Sequence, residues 1–262
     1  MRTGPSCPVC DPGRVPRLRF TTLVEAPLTV AFDVARGPDG SWSPPLEEVE
    51  AVRPDRVVHA RGGLRRTRRF AATDAGTRVE EELEWAGRLP GVLGRVTDRV
   101  RGRRLGRVAP ARLGAYAAVA ARRARDVVQV VGAALVDGDR VLVAQRSGGL
   151  YDGCWEFPGG KVEPGEDERA GLVRELEEEL GLTVVPGAFL GEVVLDGVVA
   201  GGAPGGSTLR LWAATAAGGA VPTAREHAEL RWVGAADLDD LDWIPADRPL
   251  LPAVRGLLDG RR

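Results

Sequence analysis

The chain has 262 residues, of which 44% are hydrophobic and 28% charged, and its formal net charge is −1. At roughly 100–200 residues per domain this length suggests two domains, each long enough to bury its own core. No apolar run approaches the ~20 residues of a membrane span, and the opening MRTGPSCPVCDPGRVP has no stretch of signal-peptide type, so no membrane partner and a cytoplasmic location are expected.

The small net charge hides an asymmetry. Residues 1–126 hold 24 Arg against 15 Asp and Glu, a balance of +9, and residues 127–262 hold 12 Arg and Lys against 22 Asp and Glu, a balance of −10. Two domains of opposite charge would give this pattern and would attract each other at low salt. No stacking aromatics interleave the arginines, so a nucleic-acid partner is not expected. The three cysteines, Cys7, Cys10 and Cys154, are too few and odd in number for a disulfide framework. Cys7 and Cys10 form a CPVC pair, but a zinc site needs two further ligands, and His59 and Cys154 are isolated candidates. Reduced thiols on a flexible N-terminus, residues 1–16, are the simpler expectation.

In chain order, Arg17–Glu25 alternates and is β-branched in its second part, which predicts a strand. Pro27–Val34 follows as a short helix. Glu48–Val52, Arg56–Arg61, Leu64–Ala72 and Thr77–Trp85 are further strands, split by Arg-Pro-Asp, Gly-Gly and Asp-Ala-Gly turns. In the last of these Glu81 interrupts an otherwise apolar side made by Val79, Leu83 and Trp85. Gly91–Arg125 is helix-prone, apart from Pro110, which should kink or break it. This order, and the phrase RFTTLVEAPLTVAFDVA, resembles the START-like (SRPBCC) family over roughly residues 17–120. The resemblance implies a helix-grip domain at 17–125, with a curved antiparallel sheet, a long helix, and between them either an apolar small-ligand cavity or a filled core.

The second domain is placed at 126–262. Val127–Ala134 is a strand, Asp137-Gly-Asp a tight turn, and Val141–Gln145 the returning partner. Then comes GKVEPGEDERAGLVRELEEELGL, residues 160–182. Glu168–Leu180 is a helix, with Pro164-Gly165 as the turn before it and Gly181 as its stop. At 100° per residue Glu175, Glu178 and Glu179 fall within an arc of about 100°. Leu172, Val173, Leu176 and Leu180 lie on the adjacent arc and can pack. Carboxylates so close repel unless a cation sits among them, and oxygen-only ligands select Mg²⁺, with Mn²⁺ as a substitute. Gly159 and Gly160 let backbone approach a metal or a phosphate closely. Lys161 is the only lysine among 36 basic residues. Its place in this loop suggests an ammonium held against carboxylate or phosphate.

The same segment is similar to the Nudix box in full: Gly160, five residues, Glu166, seven residues, then Arg174-Glu175-Leu176, Glu178-Glu179 and Gly181-Leu182. The resemblance implies an α/β/α sandwich with a mixed sheet. It implies metal ligation by the Gly160 carbonyl, Glu175, Glu178 and Glu179. Arg174 would hold Glu175, and Glu166 would be a supporting residue. In Glu226-His227-Ala228-Glu229-Leu230-Arg231-Trp232, Glu226 matches a distal glutamate that binds metal or acts as base, with Glu229 as its fallback and His227 as a loop residue. Over about residues 128–258 the stretch QRSGGLYDGCWEFPGGKVEPGE and the tail LDDLDWIPADRPLLPAV resemble the MutT-like subgroup. That likeness places Arg146 and Asp247 on the substrate, Asp247 against the base. An ionised Asp247 only accepts hydrogen bonds, which gives a leaning toward CTP, dCTP or 5-methyl-dCTP, with 8-oxo-dGTP still a substrate.

The function so implied is Mg²⁺-dependent hydrolysis of nucleoside triphosphates, oxidised or modified ones included, to nucleoside monophosphate and pyrophosphate. Residues 126–262 hold every motif with a chemical role, so that half alone is expected to fold and to act. The alternative is a START-like binding module that regulates a Nudix domain acting on another nucleoside diphosphate derivative, or serving as a sensor. Intact Glu175, Glu178 and Glu179 argue against a sensor.

Overall fold

Alternation and turn signals produce five strands in the first half. The computed structural model describes residues 15–37, 45–85, 91–195 and 207–260, and the Cys7–Cys10 pair lies outside them. β1 is Arg17–Val24, β2 Glu47–Val52, β3 Arg56–Arg61, β4 Leu64–Thr73 and β5 Gly76–Trp85. They form an antiparallel sheet in the order β1-β5-β4-β3-β2. Helix α1, Leu28–Arg36, buries Val30, Ala31 and Phe32 against it.

Helix α2, Gly91–Ala124, lies across the sheet and buries Leu105, Ala109, Leu113, Tyr116 and Ala120, one side chain per turn. A Cβ at Gly102 would stand 2.9 Å from the Trp85 ring, so the helix meets the sheet on bare backbone there. The expected break at Pro110 does not occur, and the helix continues through it. Pro110 sits on the exposed side, and the carbonyl its ring must clear, four residues back, belongs to Gly106. Buried residues on both sides of Pro110, Leu105 and Ala109 before it and Leu113 and Tyr116 after it, hold the helix on the sheet.

The interior of this half is partly polar. Glu81, the interruption in the apolar face of β5, pairs with Arg68 at 2.8 Å, and both side chains are 2% exposed. The Arg68 guanidinium lies 4.1 Å from the centre of the Tyr116 ring, whose hydroxyl donates to the Ala31 carbonyl. His59 and Arg66 are bonded beside them. An apolar ligand finds no support in such a lining, since buried charges need polar partners around them. An open depression of about 360 Å³ by the β3–β4 turn is lined by Arg61, Arg65 and Glu84 together with Val15, Leu64 and Trp85.

The second half holds β6 (Gln129–Asp137), β7 (Arg140–Gln145), β8 (Trp155–Glu156), β9 (Gly159–Lys161), α3 (Glu168–Leu180), β10 (Val184–Val194), β11 (Thr208–Ala216), β12 (Glu229–Gly234) and α4 (Leu251–Asp259). The sheet runs β10-β11-β6-β7-β12, with β8 on β7 and β9 on β6. β11 and β6 are parallel and the other pairs antiparallel, so the sheet is mixed. β6 is buried on both faces. Val131, Ala133 and Leu135 pack with Leu172, Leu176 and Leu180 of α3, while Ala134 and Val136 pack with Val254 and Leu258 of α4. This α/β/α sandwich fixes α3 against the β9 edge. Among the described residues no helix is long and apolar enough to cross a membrane.

Candidate active site

Both ends of α3 are locked by local chemistry. The Asp167 carboxylate accepts from the N–H groups of Arg169 and Ala170, satisfying the free donors of the first turn. Gly181 ends the helix with φ 66° and donates to the Glu177 carbonyl, a left-handed cap that glycine adopts without strain. With the leucine stripe buried, Glu175, Glu178 and Glu179 emerge on the next face. Glu178 is 57% exposed and Glu175 only 14%.

Arg174 ties this face to the loop before the helix. Its Nε and Nη2 donate to the two oxygens of Glu166, each at 3.0 Å, and Nη2 also donates to the Lys161 carbonyl. Nη1 donates to Glu175 at 3.0 Å and to Glu178 at 3.2 Å. The Arg174 fork and the Glu163 N–H hold the Glu166 carboxyl below its usual range.

The glycine turn meets the helix on bare backbone. The Gly159 N–H, at φ 149°, donates to Glu179 at 3.0 Å. A Cβ on Gly160 would land inside the Glu175 carboxylate. Gly160→Ala is therefore expected to displace Glu175 and lower kcat by roughly 10²-fold with little change in thermal unfolding, the scale on which ångström misplacement costs rate. Steady-state kinetics beside a melting curve checks this; unchanged kcat would mean that the contact has no bearing on turnover.

Glu179 is the most buried of the three. Burial pushes its carboxyl up to about 7, against the pull of His227 and the Gly159 N–H. Glu175 is also raised, chiefly by burial. Residues 223–227 dock on the end of α3: Thr223 and Arg225 donate through backbone N–H to the carbonyls of Leu180 and Glu179, and the Arg225 side chain donates to the Glu177 carbonyl. This docking sets His227 3.5 Å from Glu156, which Arg146 also holds, at 2.5 Å. Burial alone would lower the His227 pKa, but the bond to Glu156 and the charges of Glu179, Glu156 and Glu226 raise it.

Curated relatives match the second half. Residues 127–254 fit the NUDIX domain model. A Mycobacterium tuberculosis protein provisionally named 8-oxo-dGTP diphosphatase 2 is 48% identical over 132 residues, which span 50% of this chain and 90% of that one. The Escherichia coli CTP pyrophosphohydrolase is 35% identical over 138 residues, 52% of this chain and 96% of that protein. The chain belongs to the Nudix family. The solution structure of the E. coli ORF135 protein is 33% identical, covers 51% of this chain and 92% of that chain, and has a TM-score of 0.42.

Within this Nudix domain the structure brings together Gly159, Gly160, Glu166, Arg174, Glu175, Glu178 and Glu179, while Gly181 caps the far end of α3. Glu226 is exposed and adjoins His227, whereas Glu229 is engaged with Arg231 at 2.8 Å. That favours Glu226 over its fallback. Lys161 is exposed on β9, its carbonyl taken by Arg174. Asp247 is 1% exposed and accepts from the Phe157 N–H at 2.7 Å. Burial pushes its carboxyl up to about 8. Sequence reasoning missed Glu156; His227 lies in the loop before β12, as expected, but its side chain is turned inward onto Glu156. The alternation Trp155-in, Glu156-out on β8 was the available signal for the first.

A divalent cation fits the donor set. The Nudix helix offers carboxylates alone, and Glu179 is largely buried against the Gly159 N–H, a poor home for a negative charge without a cation. Among the described residues no three such groups form a finished cage. The zinc alternative gains nothing: His59 is bonded to Arg66, and Cys154 donates to Asp242.

Proposed function

We propose that the protein is a Mg²⁺-dependent pyrophosphohydrolase of MutT type, releasing nucleoside monophosphate and pyrophosphate from oxidised or modified triphosphates such as 8-oxo-dGTP, or from CTP, dCTP or 5-methyl-dCTP. The observation that carries this is the Glu175, Glu178 and Glu179 face of α3, closed against Gly159 and Gly160 by a hydrogen bond and a contact only glycine permits. The names of the two relatives support the substrate class.

The Gly160 carbonyl, Glu175, Glu178, Glu179 and Glu226 would hold the metal. When bound, Mg²⁺ neutralises charge that develops on the phosphate oxygens. Arg174 fixes the position of Glu175 through charge-assisted bonds. Water attacks a phosphorus, the β being favoured, a carboxylate takes its proton, and the bond from that phosphorus to the bridging oxygen breaks so that the monophosphate leaves; Glu226, exposed beside His227, is the proposed proton acceptor. Arg146 and Lys161 are assigned to the substrate. Asp247 reads the base, but as a neutral acid at pH 7, so that it can donate as well as accept. A protonated Asp247 supports 8-oxo-dGTP as a substrate beside the pyrimidine triphosphates. The first half, a five-stranded sheet gripped by one long helix, is proposed to be START-like, and the location to be cytoplasmic.

The test is product analysis on the full chain with 8-oxo-dGTP, dCTP, 5-methyl-dCTP and CTP. Pyrophosphate and monophosphate are expected in equal amounts, abolished by EDTA and restored by Mg²⁺. Orthophosphate as the product, or turnover indifferent to EDTA, would reject the assignment.

A further inference from the structure

Arg210 sits near the start of β11 between Leu209 and Leu211, all of them buried. An arginine there is costly unless its donors are met. Nε donates to Glu168 at 2.7 Å and Nη1 to Glu192 at 2.7 Å. Nη2 donates to the carbonyls of Thr73 at 2.7 Å and Asp74 at 3.2 Å, and the guanidinium lies 4.4 Å from the centre of the Phe189 ring. Glu192 is fully buried on β10, and its other oxygen accepts from the Leu28 N–H at 2.7 Å. Leu28 opens α1, whose N-terminus has no side-chain cap of its own.

One buried node therefore joins the turn between β4 and β5 and the start of α1, both from the first half, to the first residue of α3. That helix is already held at its C-terminal end by residues 223–225. We infer that the first half is a docked positioning element for α3, and that Arg210 is the positioning residue which transmits its docking to the helix through Glu168. The inference rests on the proposed function, because α3 matters to rate only if its glutamates do. Removing the first half would bare Glu192 and leave Arg210 without the Thr73 and Asp74 carbonyls. Residues 126–262 alone would keep the chemical groups and lose part of their alignment.

The test uses the full chain and Arg210→Met, with amide hydrogen exchange as the deciding readout. Protection of the Thr73–Gly76 turn and of the Glu168–Leu172 amides should fall together. For the nucleotide turned over best, kcat should drop about tenfold with KM within about twofold, the mark of lost alignment and not of lost binding. Arg210→Lys should recover part of both. Glu192→Gln keeps the acceptor for Leu28 and should give the same paired loss at smaller amplitude, which covers the case of Arg210→Met failing to fold. Loosening of the turn while α3 keeps its protection and kcat is unchanged would overturn the inference. Exchange needs no substrate, so a chain that hydrolyses no triphosphate would reject the proposed function and leave the paired loss to judge the coupling.

Discussion

Glu178→Gln and Glu179→Gln are each expected to lower kcat by about 10²–10⁴-fold with the fold intact. Loss of a charged ligand removes several kcal/mol of transition-state stabilisation, at about 1.4 kcal/mol per tenfold. The two variants should part company in stability. The Glu179 carboxyl, about 7 in the folded chain, lies above its ordinary 4.5. The native state then binds its proton more tightly than the unfolded chain, so stability is highest below the ordinary value and declines as pH rises toward 7. Glutamine removes that decline. In metal-free buffer at pH 8, Glu179→Gln should melt above wild type by up to a few kcal/mol of stability, at about 1.4 kcal/mol per pKa unit. Glu178, more than half exposed, should show no such gain. Melting curves at pH 5 and pH 8 alongside kcat decide this. Near-normal turnover in both variants would sink the site.

Asp247→Asn is expected to stabilise the chain strongly at high pH and to reveal how the base is read. The carboxyl stands near 8 in the folded state against an ordinary 3.8. By the same sign, its contribution is full below 3.8 and is lost as pH rises through 8. Asparagine keeps the acceptor for the Phe157 N–H and has no charge to bury. The gain at pH 8–9 should reach several kcal/mol on the same scale and vanish near pH 4. Below about pH 7 a protonated Asp and an Asn offer the same donor and acceptor, so kcat/KM for 8-oxo-dGTP relative to dCTP should barely differ. Above pH 9 wild type ionises and should lose 8-oxo-dGTP selectively, while Asp247→Asn keeps it, because an unpaired buried partner discriminates strongly. A ratio independent of both pH and mutation would mean that Asp247 does not touch the base.

What the sequence disclosed was local. The bounds of α3 followed from its capping signals, and Glu168–Leu180 is the observed helix. The glutamate face followed from helical geometry alone. The partner of Arg174 was only half legible: its proximity to Glu175 was expected, but its fork closes on Glu166, eight residues back across a loop. Contacts assembled from distant strands were not legible at all. Glu156 and His227 meet because residues 223–225 hang on the carbonyls ending α3, and no periodicity encodes that. Arg210 reads as one arginine in an apolar strand until Thr73, 137 residues away in sequence, supplies its carbonyl. Pro110 misled as to a break for a related reason, since the residues that hold α2 on the sheet lie on the strands beneath it.

The docked halves also shape the space around the molecule. A half carrying +9 is held against one carrying −10, and the far field of the whole is that of a nearly neutral body with a strong internal polarity. A polyanionic nucleotide diffusing toward the carboxylate-rich half alone would be slowed in its approach. With the arginine-rich half attached, one flank attracts while the other repels, so approach becomes directional. The reach of that guidance shrinks from about 10 Å at 0.1 M salt to about 3 Å at 1 M. Capture of substrate should accordingly be most oriented in dilute buffer and become indifferent to direction in concentrated salt, independently of the chemistry at α3.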